Sequence, residues 1–218
     1  MREAFQDELD AIFSDLAGIC GRVEEQVRLA TTALMEGDSA VAEQVISADV
    51  EIDAARERVE ENAFSLLSLQ SPVAGDLRTV VAALRIVTDL ERMGDLSVHV
   101  AKIARLRVPE LAVPEPVRPT IARMAEVAEG MVCKLHAVIT GRDAEQARAM
   151  AEMDEEMDQL RRVSFTQLLG DEWSHGVEAA VDVALLGRYY ERIADHAVSI
   201  AKRVVYVVTG EKPLAADA

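Results

Sequence analysis

The chain has 218 residues, half of them hydrophobic, and a formal charge of −16 from 39 acidic and 23 basic side chains. This composition can form a sizeable core, and the aromatic content of only 4% argues against an all-β fold. The negative charge argues against nucleic acid or an anionic lipid surface as the main partner. No apolar stretch approaches the ~20 residues of a membrane span, and no signal-peptide core is present, so we expect a cytoplasmic protein.

Three helices are predicted in each half of the chain. In chain order, they cover residues 3–35, 39–69, 76–107, 117–140, 143–169 and 177–208. Gly37 and Asp38 indicate a helix end followed by a new N-cap, and Ser71-Pro72 with Gly75 indicates the next break. Apolar residues recur at spacings of three and four, which predicts packed helical faces. A helix of about 31 residues is roughly 45 Å long, which suits an elongated bundle.

The two halves of the chain repeat each other. The segment Asp49–Asp53 matches Asp154–Asp158, and Glu91–Asp95 matches Glu191–Asp195. Four of the six prolines lie in residues 109–119, where they break the chain at its midpoint. We therefore expect an all-α fold with two three-helix bundles in tandem. The expected division is residues 1–108, a proline-rich linker at 109–118, and residues 119–218.

Four pairs of acids are spaced four residues apart, which places each pair on one face of a helix. The pairs are Asp49/Asp53, Glu91/Asp95, Asp154/Asp158 and Glu191/Asp195. Like charges at this spacing repel one another, and a bound cation relieves the repulsion. Carboxylate oxygens are ligands that suit magnesium, calcium, manganese or iron. If the two pairs in each half converge, the sequence predicts a metal site in each repeat.

The surroundings of the acids leave two interpretations open. Leu77, Val81 and Leu84 lead along one stripe to Glu91, so the acids continue an apolar face, where an unpaired carboxylate is costly. His99 and His196 follow the acids and would allow a shell of mixed oxygen and nitrogen ligands. Acid pairs also arise by chance in an acidic chain, and neighbouring arginines would make them ordinary salt bridges or a solvated face.

Other chemistry-bearing residues are less informative. The segment Glu172–His175 has the spacing of a di-iron ligand pair, but it lies in a predicted loop. Cys20 and Cys133 have no counterparts in the opposite halves and are interpreted as core thiols. No phosphate-binding loop, nucleophile elbow or catalytic triad is found, so we expect a protein that is not an enzyme.

Several segments in order make the chain similar to the PhoU family, the bacterial phosphate-signalling regulators called PhoY in mycobacteria. They are Gln70-Ser71-Pro72-Val73-Ala74-Gly75-Asp76-Leu77-Arg78, Leu90-Glu91-Arg92-Met93-Gly94-Asp95 and Arg188-Tyr189-Tyr190-Glu191-Arg192-Ile193-Ala194-Asp195. The resemblance covers nearly the whole chain, including the repeat. The second half departs from it, because Asp171–Gly176 replaces any counterpart of Pro72–Arg78.

The resemblance implies a fold of two three-helix bundles and a regulatory function. The family's acidic motifs match all eight paired acids, which in some members hold iron or zinc. The implied role is negative control of a PhoR-type sensor histidine kinase and of the Pst phosphate importer, through its ATPase subunit, when phosphate is plentiful. The implied protein is a cytoplasmic homodimer that reaches the membrane through its partners. The alternatives are a carboxylate-bridged metalloenzyme or metal-storage bundle and a plain helical scaffold.

Overall fold

The computed structural model describes residues 2–211, with side chains from Phe5 onward. These residues form six long α-helices and no β-strand, which confirms the all-α prediction. The helices are α1 (Arg2–Glu36), α2 (Ser39–Gln70), α3 (Gly75–Arg107), α4 (Arg118–Gly141), α5 (Ala144–Leu169) and α6 (Gly176–Thr209), with a short 3-10 turn at Glu115–Val117 before α4. Each boundary lies within one residue of the sequence prediction.

Equivalent aspartates begin the second helix of each repeat. Asp38 Oδ1 accepts hydrogen bonds from the backbone amides of Ala40 and Val41, at 2.8 and 3.0 Å. Asp143 Oδ1 accepts from the amides two and three residues further on, at 2.9 and 3.0 Å. These bonds satisfy amides that the helix itself leaves free, which is why the sequence could locate both helix starts.

The two bundles lie side by side with antiparallel contacts. Helix α1 packs against α4, and α3 packs against α6, while α2 and α5 flank the pair on opposite sides. Arg107 at the end of α3 binds Asp182 near the start of α6, at 2.5 Å. Arg78 at the start of α3 reaches the backbone oxygen of Val207 near the end of α6, at 3.3 Å. The repeats are therefore related by an approximate twofold axis perpendicular to the helices.

A single hydrophobic cluster extends through both bundles. Leu16, Ile86 and Met131 are among its fully buried side chains, each of which contributes about 1.5–3 kcal/mol to stability by leaving water. Tyr190 of α6 is also buried, and its hydroxyl group lies 2.9 Å from the Thr31 hydroxyl on α1. The bundles thus share a core in which hydrogen bonds also join α1 to α6 and, through Cys20 Sγ and the backbone oxygen of Val132, α1 to α4.

The proline-rich segment between the repeats packs against this core. Ala112, Val113 and Val117 are buried, with exposures of 5%, 3% and 1%. The side chain of Leu111 lies 3.2 Å from the position that a Cβ atom would take at Gly37, whose φ of +69° marks the end of α1. The segment therefore connects the repeats as an ordered part of the fold. None of the described helices is long and apolar enough to cross a membrane.

Candidate functional site

The first acidic face consists of Asp49 and Asp53 on α2 with Glu91 and Asp95 on α3. Burial, then the charges of Asp95, Asp53 and Glu91, raises the pKa of Asp49 from 3.8 to about 6. Burial, then Asp95, also raises the pKa of Glu91. Arg92 contacts this face, at 3.7 Å from Glu91 and 3.4 Å from Asp95. The two acid pairs converge, as the sequence analysis required for a site.

A buried amide oxygen borders the first acidic face. Gln26 of α1 is 4% exposed, and its Oε1 atom has no hydrogen-bond partner among the described residues. A Cβ atom at Gly94 would lie 3.4 Å from this oxygen and 3.4 Å from Asp49 Oδ1. A buried acceptor without a donor costs about 1–3 kcal/mol, and a cation would remove that cost. No signal in the sequence singled out Gln26.

The second acidic face consists of Asp154 and Asp158 on α5 with Glu191 and Asp195 on α6. Burial, followed by the charges of Asp195 and Asp158, raises the pKa of Asp154, and Lys202 opposes this shift. The acids of this repeat therefore also converge from two helices. The two acidic faces occupy equivalent positions in the two repeats, as the matched sequence motifs predict.

Arginines distinguish the second acidic face from the first. Glu191 is buried and binds Arg161 at 2.7 Å as well as Arg188. Thr88 stands at the position equivalent to Arg188 in the first repeat. Arg56, the equivalent of Arg161, binds an acid one turn further along α2 at 3.4 Å. Glu191 is consequently neutralised inside its own repeat, whereas Glu91 has only the exposed Arg92 as an ion-pair partner among the described residues.

The first acidic face is the better match to a divalent cation. Among the described side chains, no three histidine, cysteine or acidic residues are grouped so as to hold a metal ion. The first face nevertheless brings together four carboxylates and the unpartnered oxygen of Gln26, which are the hard donors that such cations prefer. The second face does not fit a cation while two guanidinium groups occupy Glu191.

The histidines near the acids contact other groups. His99 stacks on Tyr189, with ring centroids 5.3 Å apart and an interplanar angle of 22°. His196 Nδ1 lies 3.0 Å from Asp89 Oδ1, and Arg203 binds the same carboxylate at 3.2 Å. Both histidines contact residues across the α3–α6 interface. His99 is rotated by about 40° from Asp95 around its helix, and His196 by about 100° from Asp195. The rings of both histidines are thus engaged by groups other than the four acid pairs.

The remaining candidates are structural. Cys20 is buried as expected, but Cys133 is exposed and is not a core thiol. Trp173 Nε1 donates to the backbone oxygen of Gly176 at 2.9 Å, and the Trp173 ring meets that of His175 edge-on. These contacts organise the turn between α5 and α6, where the di-iron-like spacing occurs.

The apolar stripes that lead to the acids lie at the rim of the core. Leu77 and Val81 are 41% and 37% exposed, and the equivalent Val177 and Val181 are 81% and 50% exposed. Among the acids on α3 and α6 only Glu191 is buried, and Asp195 is exposed, so the prediction that the acids continue an apolar face is met only at Glu191. The exposed apolar side chains at the α5–α6 end border a groove of about 650 Å³, lined by Phe165, Leu168, Leu169, Trp173, Val177 and Val181 among others.

Comparison with known proteins accounts for the repeat. The family model for the PhoU domain matches residues 16–104 and 121–204. These ranges cover most of both three-helix bundles. The chain belongs to the PhoU family. Each matched segment contains one acidic face, so the PhoU domain occurs twice and places its acids at equivalent positions.

Relatives of this PhoU protein match it over nearly its whole length. It is 47% identical to "Phosphate-specific transport system accessory protein PhoU homolog 2" of Mycobacterium tuberculosis, over 98% of this chain and 100% of the relative. The crystal structure of PhoU from Streptococcus pneumoniae is similar with a TM-score of 0.85 at 28% identity, covering 95% of this chain and 98% of that one. The PhoU structure from Pseudomonas aeruginosa has a TM-score of 0.84 at 29% identity, covering 95% and 100%.

Proposed function

We propose that this PhoU-family protein regulates phosphate transport and phosphate-starvation signalling. The observation that carries the proposal is the match to a phosphate-specific transport system accessory protein at 47% identity over 98% of this chain. In this role the protein is an adaptor and not an enzyme. It restrains a PhoR-type sensor kinase and the Pst importer, through its ATPase subunit, when phosphate is plentiful. It acts in the cytoplasm as a homodimer, at the membrane only through its partners.

The first acidic face supports a role for a bound divalent cation, such as iron or zinc. The carboxylates of Asp49, Asp53, Glu91 and Asp95 would hold the cation, with the Gln26 oxygen available beside them. A cation there neutralises the repulsion between α2 and α3 and so makes one arrangement of the α2–α3 surface more stable. The second acidic face takes a cation less readily, because Asp154, Asp158, Glu191 and Asp195 must first lose two guanidinium contacts.

Affinity capture from the native bacterium tests the regulatory proposal. The full chain, carrying an affinity tag, is recovered from phosphate-replete and phosphate-starved cells, and the captured proteins are identified by mass spectrometry. We expect a sensor kinase or a phosphate-transporter subunit, with more of it from replete cells. Recovery of neither from either culture would contradict the proposed role.

Elemental analysis of the recovered protein tests the cation proposal separately. We expect Asp49→Asn combined with Asp95→Asn to remove bound metal, because these changes remove two charges from the first acidic face. The matched control combines Asp154→Asn with Asp195→Asn on the second acidic face, and it should retain most of the metal. Equal metal content in the wild type and the first double variant would refute the assignment, even if partner capture succeeds.

A further inference from the structure

We propose that a cavity between the start of α3 and the end of α6 binds an oxyanion of the phosphate class. The cavity has a volume of about 340 Å³ and is lined by Arg78, Arg85, Arg203 and Tyr206, with apolar walls that include Leu77. No described acidic side chain lines it. Three guanidinium groups thus surround one cavity in a chain whose net charge is −16. The inference does not depend on the proposed function.

The charges of these arginines are incompletely neutralised. No carboxylate among the described residues forms an ion pair with Arg78 or Arg85, whereas Asp89 binds Arg203 at 3.2 Å. The Arg78 guanidinium group lies over the ring of Tyr206, 5.3 Å from its centroid, and donates to the backbone oxygen of Val207 at 3.3 Å. The buried Nε atoms of Arg78 and Arg203 have no acceptor among the described atoms. The fold therefore holds Arg78 and Arg85 beside the cavity without a carboxylate partner among the described residues, whereas Asp89 neutralises Arg203.

The opposite end of the α3–α6 pair contains the missing carboxylates. The twofold relation places Glu178 at the position equivalent to Arg78, and Asp182 at the position equivalent to Ala82. Both acids bind Arg107, with 2.5 Å between Asp182 Oδ2 and the arginine Nε. At that end the chain supplies both signs of charge. At the Arg78 end no described carboxylate pairs with Arg78 or Arg85, and an external anion would take the place of the two carboxylates.

The chemistry of the cavity favours a phosphoryl group over a single carboxylate. Guanidinium groups form paired hydrogen bonds with phosphate oxygens, and the two that lack a described carboxylate partner, Arg78 and Arg85, match a doubly charged anion. The apolar wall and Tyr206 leave room for more than the free ion, so the source is inorganic phosphate or the phosphoryl end of a small metabolite. Two acids oppose binding, Asp89, which binds Arg203 at 3.2 Å, and Asp76, whose exposed charge is partly screened by salt.

Calorimetric titration of the full chain tests this site. Inorganic phosphate and adenosine monophosphate are titrated separately at constant ionic strength, with acetate as a singly charged comparison. We expect saturable binding of at least one phosphoryl compound, and Arg85→Gln should weaken it about tenfold, because one charge-assisted contact is lost. The control is Arg58→Gln, which changes an exposed arginine whose Nη1 donates only to a backbone oxygen of its own helix and should leave the affinity unchanged.

The outcomes separate the possible sources of the anion. Tighter binding of inorganic phosphate assigns the free ion, and tighter binding of adenosine monophosphate assigns a phosphorylated metabolite. Arg78→Gln should weaken binding as well, and its circular dichroism spectrum shows whether this variant is folded. Arg85 is exposed, so Arg85→Gln keeps the fold and tests the site even if Arg78→Gln unfolds. The proposal is overturned if neither compound saturates, if acetate binds as tightly, or if Arg85→Gln binds as the wild type does.

Discussion

Asp49 should make the metal-free protein less stable as the pH rises from about 4 to about 6. Its carboxyl group keeps a proton up to pH about 6 in the folded state, because it is partly buried beside three other acids. An unfolded aspartate loses that proton at pH about 3.9. Between these values the folded state binds more protons than the unfolded state. The free energy of unfolding therefore decreases with pH in this window and stays low above it.

The magnitude follows from the difference between the two pKa values of Asp49. A difference of about 2 units corresponds to at most about 3 kcal/mol, at about 1.4 kcal/mol per unit. Because Asp49 is only partly buried, solvent screens its neighbours, and we expect a loss of about 1 kcal/mol. The Asp49→Asn variant removes the charge. It should therefore be more stable than the wild type by about 1 kcal/mol near neutral pH, and equally stable at pH about 4.

Urea denaturation in the presence of a chelator, followed by circular dichroism at several pH values, measures this effect. The control is Glu61→Gln, which removes an exposed carboxylate of α2 that does not contribute to the pKa shift of Asp49. It should keep the wild-type dependence on pH. An Asp49→Asn variant with the same pH dependence as the wild type would refute the reasoning. Replacing the chelator with a divalent cation should stabilise the wild type more than this variant.

Three further predictions concern stability. Glu191→Gln leaves two guanidinium groups without their buried carboxylate and should lower the free energy of unfolding by about 3 kcal/mol. Glu91→Gln should change it by less than about 1 kcal/mol. Equal losses in urea denaturation would contradict the difference between the two acidic faces. Gly94→Ala places a Cβ atom 3.1 Å from a buried isoleucine and should cost about 1–3 kcal/mol. Gly18→Ala meets no atom within 4 Å and should stabilise the protein by up to about 1 kcal/mol. Thermal unfolding of both glycine variants measures these changes, and a stabilised Gly94→Ala would show that the contact relaxes freely. Asp38→Ala removes both N-cap bonds of α2 and should cost about 1 kcal/mol, with faster amide exchange in the first turn; unchanged exchange there would contradict the role of the cap.

The helices were predictable because their ends are local events. A glycine with positive φ at position 37, followed by the Asp38 cap, ends one helix and begins the next without help from distant residues. The prolines at positions 72 and 109 mark breaks in the same way. The matched motifs then predicted that the second half would repeat the first, and the PhoU domain description matches both halves.

The partners of the acids were not predictable, because they depend on how helices pack. Glu91 and Glu191 have nearly the same neighbours in sequence, yet only Glu191 is held by arginines from two positions. One of them, Arg161, lies 30 residues away on another helix. His196 likewise follows an acid in sequence but binds Asp89 across the α3–α6 interface. Periodicity places a residue on a face of its helix, but the side chain that meets it there belongs to another element.

The two repeats differ in which of their equivalent charges have an ion-pair partner, and the difference points to α3. On α6, Glu191 is bound by two arginines, and Asp182 is bound by Arg107 together with Glu178. The equivalent positions on α3 contain Glu91, with one exposed arginine nearby, and Arg78, with no carboxylate partner among the described residues. Ligands of both signs, a cation at the first acidic face and an oxyanion at the Arg78 end, would therefore act on the same helix, and occupancy of either changes the electrostatic environment of α3.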